Sequence, residues 1–215
     1  KKVFRTKNRP IASGKISIKV AIFYAAILCL LALVVLLNFN QFTIILALCS
    51  MPLAFTYPLM KRFTYWPQLF LGITFNYGLI LGWTTIKEEI DIIPIIFYFG
   101  AIFWTLGYDT IYGYQDIKDD EIIGLKSTSI RFKGKEKQFL FICYTFLLIS
   151  FVIGGYYMKF NNLYYFLTIA PFLHLFFYQM KIFKPTSAIS CLKAFKSNNI
   201  FGLIIFLQIL LIKNL

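Results

Sequence analysis

Apolar residues recur along this chain in long runs separated by short polar and basic clusters. Seven such runs, at roughly 17–38, 42–60, 67–86, 92–113, 139–157, 163–181 and 199–213, come close to the ~20 residues that an α-helix needs to cross a hydrocarbon core. The pattern predicts an all-α fold, a multi-spanning transmembrane helical bundle of seven helices. Pro171 and His174 interrupt the sixth run, and the last run is short. No short internal repeat, heptad array or low-complexity linker divides the chain, so residues 1–215 are expected to form one domain. Gly78 and Gly82 make a G-x-x-x-G step, the spacing of closely packed membrane helices.

Composition agrees: 59% of residues are hydrophobic and 14% charged. The net charge of +13 invites a nucleic-acid partner, but its distribution argues for none. If the N-terminal segment is cytoplasmic, the inside connections hold 19 of the 22 basic residues, leaving Lys87, Lys159 and Lys213 outside. That asymmetry is the positive-inside rule and orients the bundle without DNA or RNA. The first sixteen residues are basic and polar, with no apolar core of a secretory signal peptide. Cys29, Cys49, Cys143 and Cys191 form no C-x-x-C pair and are expected to pack as small apolar side chains. The single His174 lies in an apolar run and is expected to be a packing residue. Glu88, Glu89 and Asp91 fall on the outer side, away from the basic loops, and receive no catalytic role.

The remaining acids are concentrated. Five of the nine lie between Asp109 and Glu121, at the end of the fourth apolar run. Positions 109, 112, 116 and 120 would share one face if the helix through the fourth run continued past them. That face would carry Asp109, Tyr112, Asp116 and Asp120. Carboxylates gathered at a membrane boundary repel one another unless a cation offsets them. Hard oxygen ligands of this kind suit Mg²⁺, which takes its other ligands from water and substrate phosphates. A solvated acidic loop is the plainer alternative. Three basic segments face the same side. Residues 3–14, with Arg5 and Arg9, read either as an anchor to anionic lipid or as a shaped binding loop. Tyr57 to Gln68 holds Lys61 and Arg62 in a tight turn bracketed by prolines, either setting topology or capturing an anion. Gly124 to Arg131 carries Lys126, close enough in sequence to fold over a phosphate.

Together these strings resemble the UbiA superfamily of intramembrane aromatic prenyltransferases, most closely its branch acting on 4-hydroxybenzoate. The matching strings are R-T-x-x-R-P-x-x-x-G from Arg5 to Gly14, Y-P-x-x-K-R-x-T-x-x-P-Q from Tyr57 to Gln68, D-T-x-Y-x-x-x-D-x-x-D-D from Asp109 to Asp120, and G-x-K-S-T from Gly124 to Thr128. The resemblance implies a nine-helix bundle around a cavity open to lipid, with two Asp-rich motifs holding Mg²⁺ and an isoprenoid diphosphate. It carries Asp116 and Asp120 over as metal-diphosphate ligands, with Asp109 and Tyr112 lining the site. Lys61 and Arg62 would lie near the substrates, Arg62 facing the carboxylate of the aromatic acid, and Lys126, Arg5 and Arg9 would be diphosphate-side cations. The family's first Asp-rich motif precedes the R-T-x-x-R-P loop, so two helices and that motif are expected upstream of Lys1.

The implied reaction is transfer of a polyprenyl group from polyprenyl diphosphate to the ring of 4-hydroxybenzoate, in ubiquinone biosynthesis. The membrane would be a bacterial inner membrane, with the site towards the cytoplasm, or a mitochondrial inner membrane. A sister enzyme of the menaquinone, haem or chlorophyll-type pathways is the near alternative, and a cation-binding transporter the distant one.

Overall fold

The computed structural model describes residues 7–213. Thirteen α-helical segments follow one another: α1 (Ile18–Leu36), α2 (Gln41–Thr56), α3 (Met60–Phe63), α4 (Pro67–Phe75), α5 (Tyr77–Lys87), α6 (Ile92–Gly113), α7 (Ile117–Ile123), α8 (Thr128–Arg131), α9 (Glu136–Tyr157), α10 (Asn162–Leu173), α11 (Met180–Ile182), α12 (Ala188–Lys196) and α13 (Asn198–Lys213). They combine into seven stretches long and apolar enough to cross a membrane, Ile18–Leu36, Gln41–Phe63, Pro67–Lys87, Ile92–Gly113, Glu136–Tyr157, Asn162–Ile182 and Ala188–Ile212. The expected all-α architecture is thus borne out, and the chain is an integral membrane protein.

Polar residues at the ends of the apolar runs start the helices. Ser17, Asn40, Ser127, Asn161 and Ser187 each accept, through their side chains, a backbone N–H of the first turn. These caps satisfy donors that a helix start leaves unpaired. Pro58 lacks an N–H, and the chain tightens into a 3₁₀ turn at Tyr57–Leu59 between α2 and α3. The spans differ from expectation at two places. Residues 57–63 continue the second span instead of forming a turn, so Lys61 and Arg62 lie in a last helical turn. The stretch between the sixth and seventh apolar runs contains the helix α12, with Cys191 buried on it.

The core gathers around α6, which packs against α9, α4, α5 and α12. Leu106, Ile111, Leu140, Cys143, Tyr144 and Leu147 are almost fully buried there. Helices in lipid gain nothing from burying one apolar side chain against another, so close backbone approach and interhelical hydrogen bonds hold them together. Both are present. A Cβ on Gly107 would lie 2.8 Å from the Tyr144 ring. Asn76 Nδ2 donates to Thr105 Oγ1 at 2.7 Å, and Asn40 Nδ2 to the Thr84 carbonyl at 3.0 Å. Tyr144 donates to Gln179, whose amide donates to Ala194 O at 3.1 Å and Ser197 Oγ at 3.0 Å. Gln179 closes a π-helical segment, His174–Gln179, that follows α10.

The expected close packing at Gly78 and Gly82 is not found: both are exposed, and a Cβ at either position would meet nothing within 4 Å. The glycines that do meet another helix are Gly72, Gly100, Gly107, Gly113, Gly154 and Gly155. Spacing alone does not say which face of α5 looks inward. The His174 ring lies 5.2 Å from that of Tyr178 in the same π-helical segment. Outside the core, large apolar side chains of α1, α9 and α13 are exposed, as a lipid-facing surface requires.

Candidate active site

Four short segments meet at one end of the bundle: α3, the start of α4, the last turn of α6 with α7, and the turn leading into α8. Helix α6 stops at Gly113, where three successive N–H groups, from Tyr114, Gln115 and Asp116, reach back to Ile111, Tyr112 and Gly113 at 3.1–3.3 Å. That tightened turn redirects the chain, and α7 starts after Asp116. The single continuous face expected for Asp109, Tyr112, Asp116 and Asp120 is therefore not formed. Asp116 stands immediately before α7 and Asp120 in its first turn, and the Asp120 N–H donates to the Asp116 carbonyl at 2.8 Å. Both are buried, at 9% and 3% exposure. The helix start favours negative charge here, because Asp119 and Asp120 lie in the first turn, where the helix dipole attracts anions. Gly124, at φ 76°, ends α7, and the Leu125 N–H returns to the Asp120 carbonyl at 2.9 Å.

Lys61 is the residue that draws the carboxylates together. Its ammonium lies 3.5 Å from Asp120 Oδ2 and also attracts Asp109 electrostatically. Burial pushes the Asp120 pKa above the ordinary carboxylate value; Lys61 opposes this, and the neighbouring Asp116 carboxylate adds to it. Asp120 is thus a buried carboxylate with too little positive charge around it. Among the described residues no three His, Cys, Asp or Glu side chains converge closely enough to enclose a metal ion. The pair Asp116 and Asp120 nonetheless fits Mg²⁺, an ion that binds through one or two carboxylates and completes its shell with water and phosphate oxygens.

The other expected site residues divide. Tyr112 packs its ring on Phe195 of α12, centroids 4.5 Å apart. Arg62 is exposed at the end of α3, in the same mouth as Lys61. Lys126 does not point to the carboxylates: its ammonium donates to the Phe63 carbonyl at 3.3 Å and lies 5.6 Å over the Tyr65 ring. It caps the C-terminus of α3, where helical carbonyls attract cations. Arg9 is exposed in the turn before α1, and among the described residues no contact joins it to the carboxylates. Arg5 lies outside the described residues.

Further contacts joining these segments come from uncharged residues to which the sequence reading gave no role. Gln68 Oε1 accepts the Thr128 N–H at 3.0 Å, the Thr110 and Thr128 hydroxyls are 2.6 Å apart, and Ser129 Oγ donates to the Thr110 carbonyl at 2.8 Å. A Cβ at Gly113 would fall 2.4 Å from Ser129 Oγ, so this position takes only glycine without a shift. Their signal was present in the strings P-Q, D-T and K-S-T, but a side chain without charge gave no chemical reason to single it out.

Below the mouth an aromatic wall runs along α6, with Tyr108 against Phe195 at 5.8 Å, Trp104 against Tyr108 at 5.2 Å and Trp104 against Phe201 at 4.8 Å. It leads to a cavity of about 400 Å³ lined chiefly by apolar side chains, among them Leu79, Phe97, Trp104, Leu147, Phe151 and Phe201. Trp104 stands five residues before Asp109, ~7.5 Å along the helix axis.

Fold and site define a class: a polytopic helical membrane protein with buried carboxylates and a half-exposed lysine at one mouth and an apolar chamber beneath. The sequence profile of the UbiA prenyltransferase family matches residues 1–206, and the chain belongs to that family. It is 44% identical over 98% of its length to the mitochondrial 4-hydroxybenzoate polyprenyltransferase of Bos taurus, of which it spans 57%. It is 41% identical to 4-hydroxybenzoate geranyltransferase 1 of Lithospermum erythrorhizon, over 98% of this chain and 69% of that protein. With the 4-hydroxybenzoate octaprenyltransferase of Francisella tularensis it shares 38% identity, over 96% of this chain and 72% of that one. The solved structure of a UbiA homologue from Aeropyrum pernix superposes with a TM-score of 0.80 at 21% identity, covering 97% of this chain and 78% of that one. This last likeness concerns the fold.

Proposed function

We propose that this chain acts as a Mg²⁺-dependent 4-hydroxybenzoate polyprenyltransferase, and that residues 1–215 belong to a single prenyltransferase domain. The observation that carries the reading is the adjacency of the buried Asp116 and Asp120 pair, with Lys61, to an aromatic wall and an apolar chamber. An isoprenoid diphosphate has the matching duality of an anionic head and a greasy tail. The names of the relatives support 4-hydroxybenzoate as the acceptor.

Asp116 and Asp120 would hold the metal, with Asp109 and Tyr112 lining the same mouth. Bound Mg²⁺ would neutralise charge growing on the departing diphosphate. Lys61 would add positive charge beside it, at a site partly withdrawn from water where such interactions count for more. The bond between C1 of the prenyl group and the diphosphate oxygen breaks. The ring carbon ortho to the phenol hydroxyl supplies the electron pair of the new C–C bond, and the proton on that carbon passes to the released diphosphate. The faces of Tyr108, Trp104 and Phe195 offer negative quadrupoles to the developing allylic cation. The apolar chamber binds the chain at ~0.8 kcal/mol per buried methylene and keeps bulk water from quenching the cation. The exposed Arg62 guanidinium would grip the carboxylate of the aromatic acid. Lys126, Arg5 and Arg9 would act on the diphosphate side, Lys126 only after leaving the Phe63 carbonyl. The excess of basic residues in the connections at this mouth supports a cytoplasmic or matrix-side site in a bacterial or mitochondrial inner membrane.

Membranes containing the protein, given radiolabelled polyprenyl diphosphate and 4-hydroxybenzoate with and without Mg²⁺, test this reading. Metal-dependent prenylated product is expected. Product with a different aromatic acceptor alone would refute the acceptor assignment, and no transfer to any acceptor would refute the reaction.

A further inference from the structure

The four uncharged residues between the mouth and the bundle are more deeply buried than the carboxylates beside them. Gln68 is 2% exposed, Thr110 1%, and Thr128 and Ser129 0%. Their bonds tie the turn before α8 to α4 through Gln68 and to α6 through Thr110. Two residues upstream in that turn, the Lys126 N–H donates to the Lys61 carbonyl at 2.8 Å. Lys61 is thus pinned from outside its own helix. This matters because α3 is only four residues long and is set off from α2 by the 3₁₀ turn at Tyr57–Leu59. A lysine is also a compact charge on a flexible four-carbon stem, so the place of its ammonium depends on where its backbone is held. A buried, hydrogen-bonded polar network is a stiff support of the kind required.

We propose that Gln68 is a positioning residue, which through Thr128 and the Lys126 N–H fixes the backbone of Lys61 and so sets where the Lys61 ammonium meets Asp120. The inference rests on the prenyl-transfer reading for its consequence in catalysis, but the geometry it asserts is measurable separately. Gln68→Met keeps the length of the side chain and loses the acceptor for the Thr128 N–H. Gln68→Glu keeps an acceptor and is the conservative rescue.

Both variants and the parent protein, purified in detergent, are compared in three ways: the acylation rate of the Lys61 amine by mass spectrometry, kcat and KM for prenyl transfer, and the melting temperature. In Gln68→Met the Lys61 amine is expected to acylate several-fold faster, and kcat to fall about tenfold, as misplacement by a fraction of an ångström can produce. KM for 4-hydroxybenzoate should change less than about twofold, because Arg62 is untouched. Gln68→Glu should restore both rates. Parent-like acylation and kcat in Gln68→Met would overturn the proposal, and so would a loss of rate that merely tracks the unfolded fraction. If Gln68→Met fails to fold, Gln68→Asn decides instead: it keeps a polar amide but is one methylene too short to reach the Thr128 N–H. Faster Lys61 acylation with lowered kcat is then expected, and parent-like values overturn the inference. Absence of transfer by the parent protein would refute the functional reading alone, leaving acylation to judge the positioning.

Discussion

Replacing Asp120 by Asn should separate activity from stability. The ammonium of Lys61 stands 3.5 Å from the carboxylate oxygen. At that distance two unit charges attract by roughly 5 kcal/mol with an effective dielectric of about 20, before solvation is counted. The Lys61 side chain is 42% exposed, and pairs with one partner so open to water are worth at most ~1 kcal/mol net. Against this stands the cost of ionising a carboxylate that is 3% exposed, with Asp116 nearby. Asn keeps the shape and removes both terms, so the metal-free protein should change by less than about 1 kcal/mol. Turnover, in contrast, should fall by about 10² or more, the order seen when one group stabilising transition-state charge is removed. Prenyl transfer at saturating substrate and thermal unfolding in detergent, on the same preparation, measure the two quantities. Turnover within about threefold of the parent would remove Asp120 from the site. A loss of several kcal/mol in stability with proportionate loss of rate would show that Asp120 is structural and refute the electrostatic argument.

The pH dependence has a definite sign. Because burial raises the Asp120 pKa, its contribution to folding is favourable at low pH and is lost as pH rises through the raised folded value. Metal binding needs the ionised form, so apparent Mg²⁺ affinity should decline on acidification from a pH above the ordinary carboxylate range, and Asp120→Asn should move that decline to lower pH. Arg62→Ala should raise KM for the aromatic acid and leave that for the prenyl donor nearly unchanged; the opposite split would overturn its assignment. Gly202 lines the apolar cavity, and a Cβ there would meet nothing within 4 Å. Gly202→Phe should therefore fold and shift preference towards shorter donors, read from competition between two prenyl diphosphates. Gly155→Ala should cost ~1–3 kcal/mol, because the new methyl would lie 2.2 Å from the Tyr164 ring, which its hydroxyl anchors to Phe151 O at 2.9 Å. Gly78→Ala, on an open face, should be neutral or stabilising by up to ~1 kcal/mol. Thermal unfolding compares the pair, and equal effects would refute the packing argument.

Hydrophobic run lengths determined the class of this protein and the number of its spans, because a bilayer accepts only segments that are long, apolar and internally hydrogen-bonded. Ordered motif strings marked the residues of the mouth, and Lys61 with the carboxylates was legible from charge. What the sequence left open were matters of direction. Helical spacing extrapolated through residues 109–120 could not reveal that α6 ends at Gly113, since the break depends on the turn from Tyr114 to Asp116 and on room for Ser129 against Gly113. Nor could it show that the Lys126 ammonium turns away to the Phe63 carbonyl, or that α5 presents Gly78 and Gly82 outward. The partners of Gln68 and Thr110 lie 60 and 18 residues away along the chain. Periodicity reports a segment's solvent, whereas the side chain that meets a given group across such separations is decided only when the helices pack.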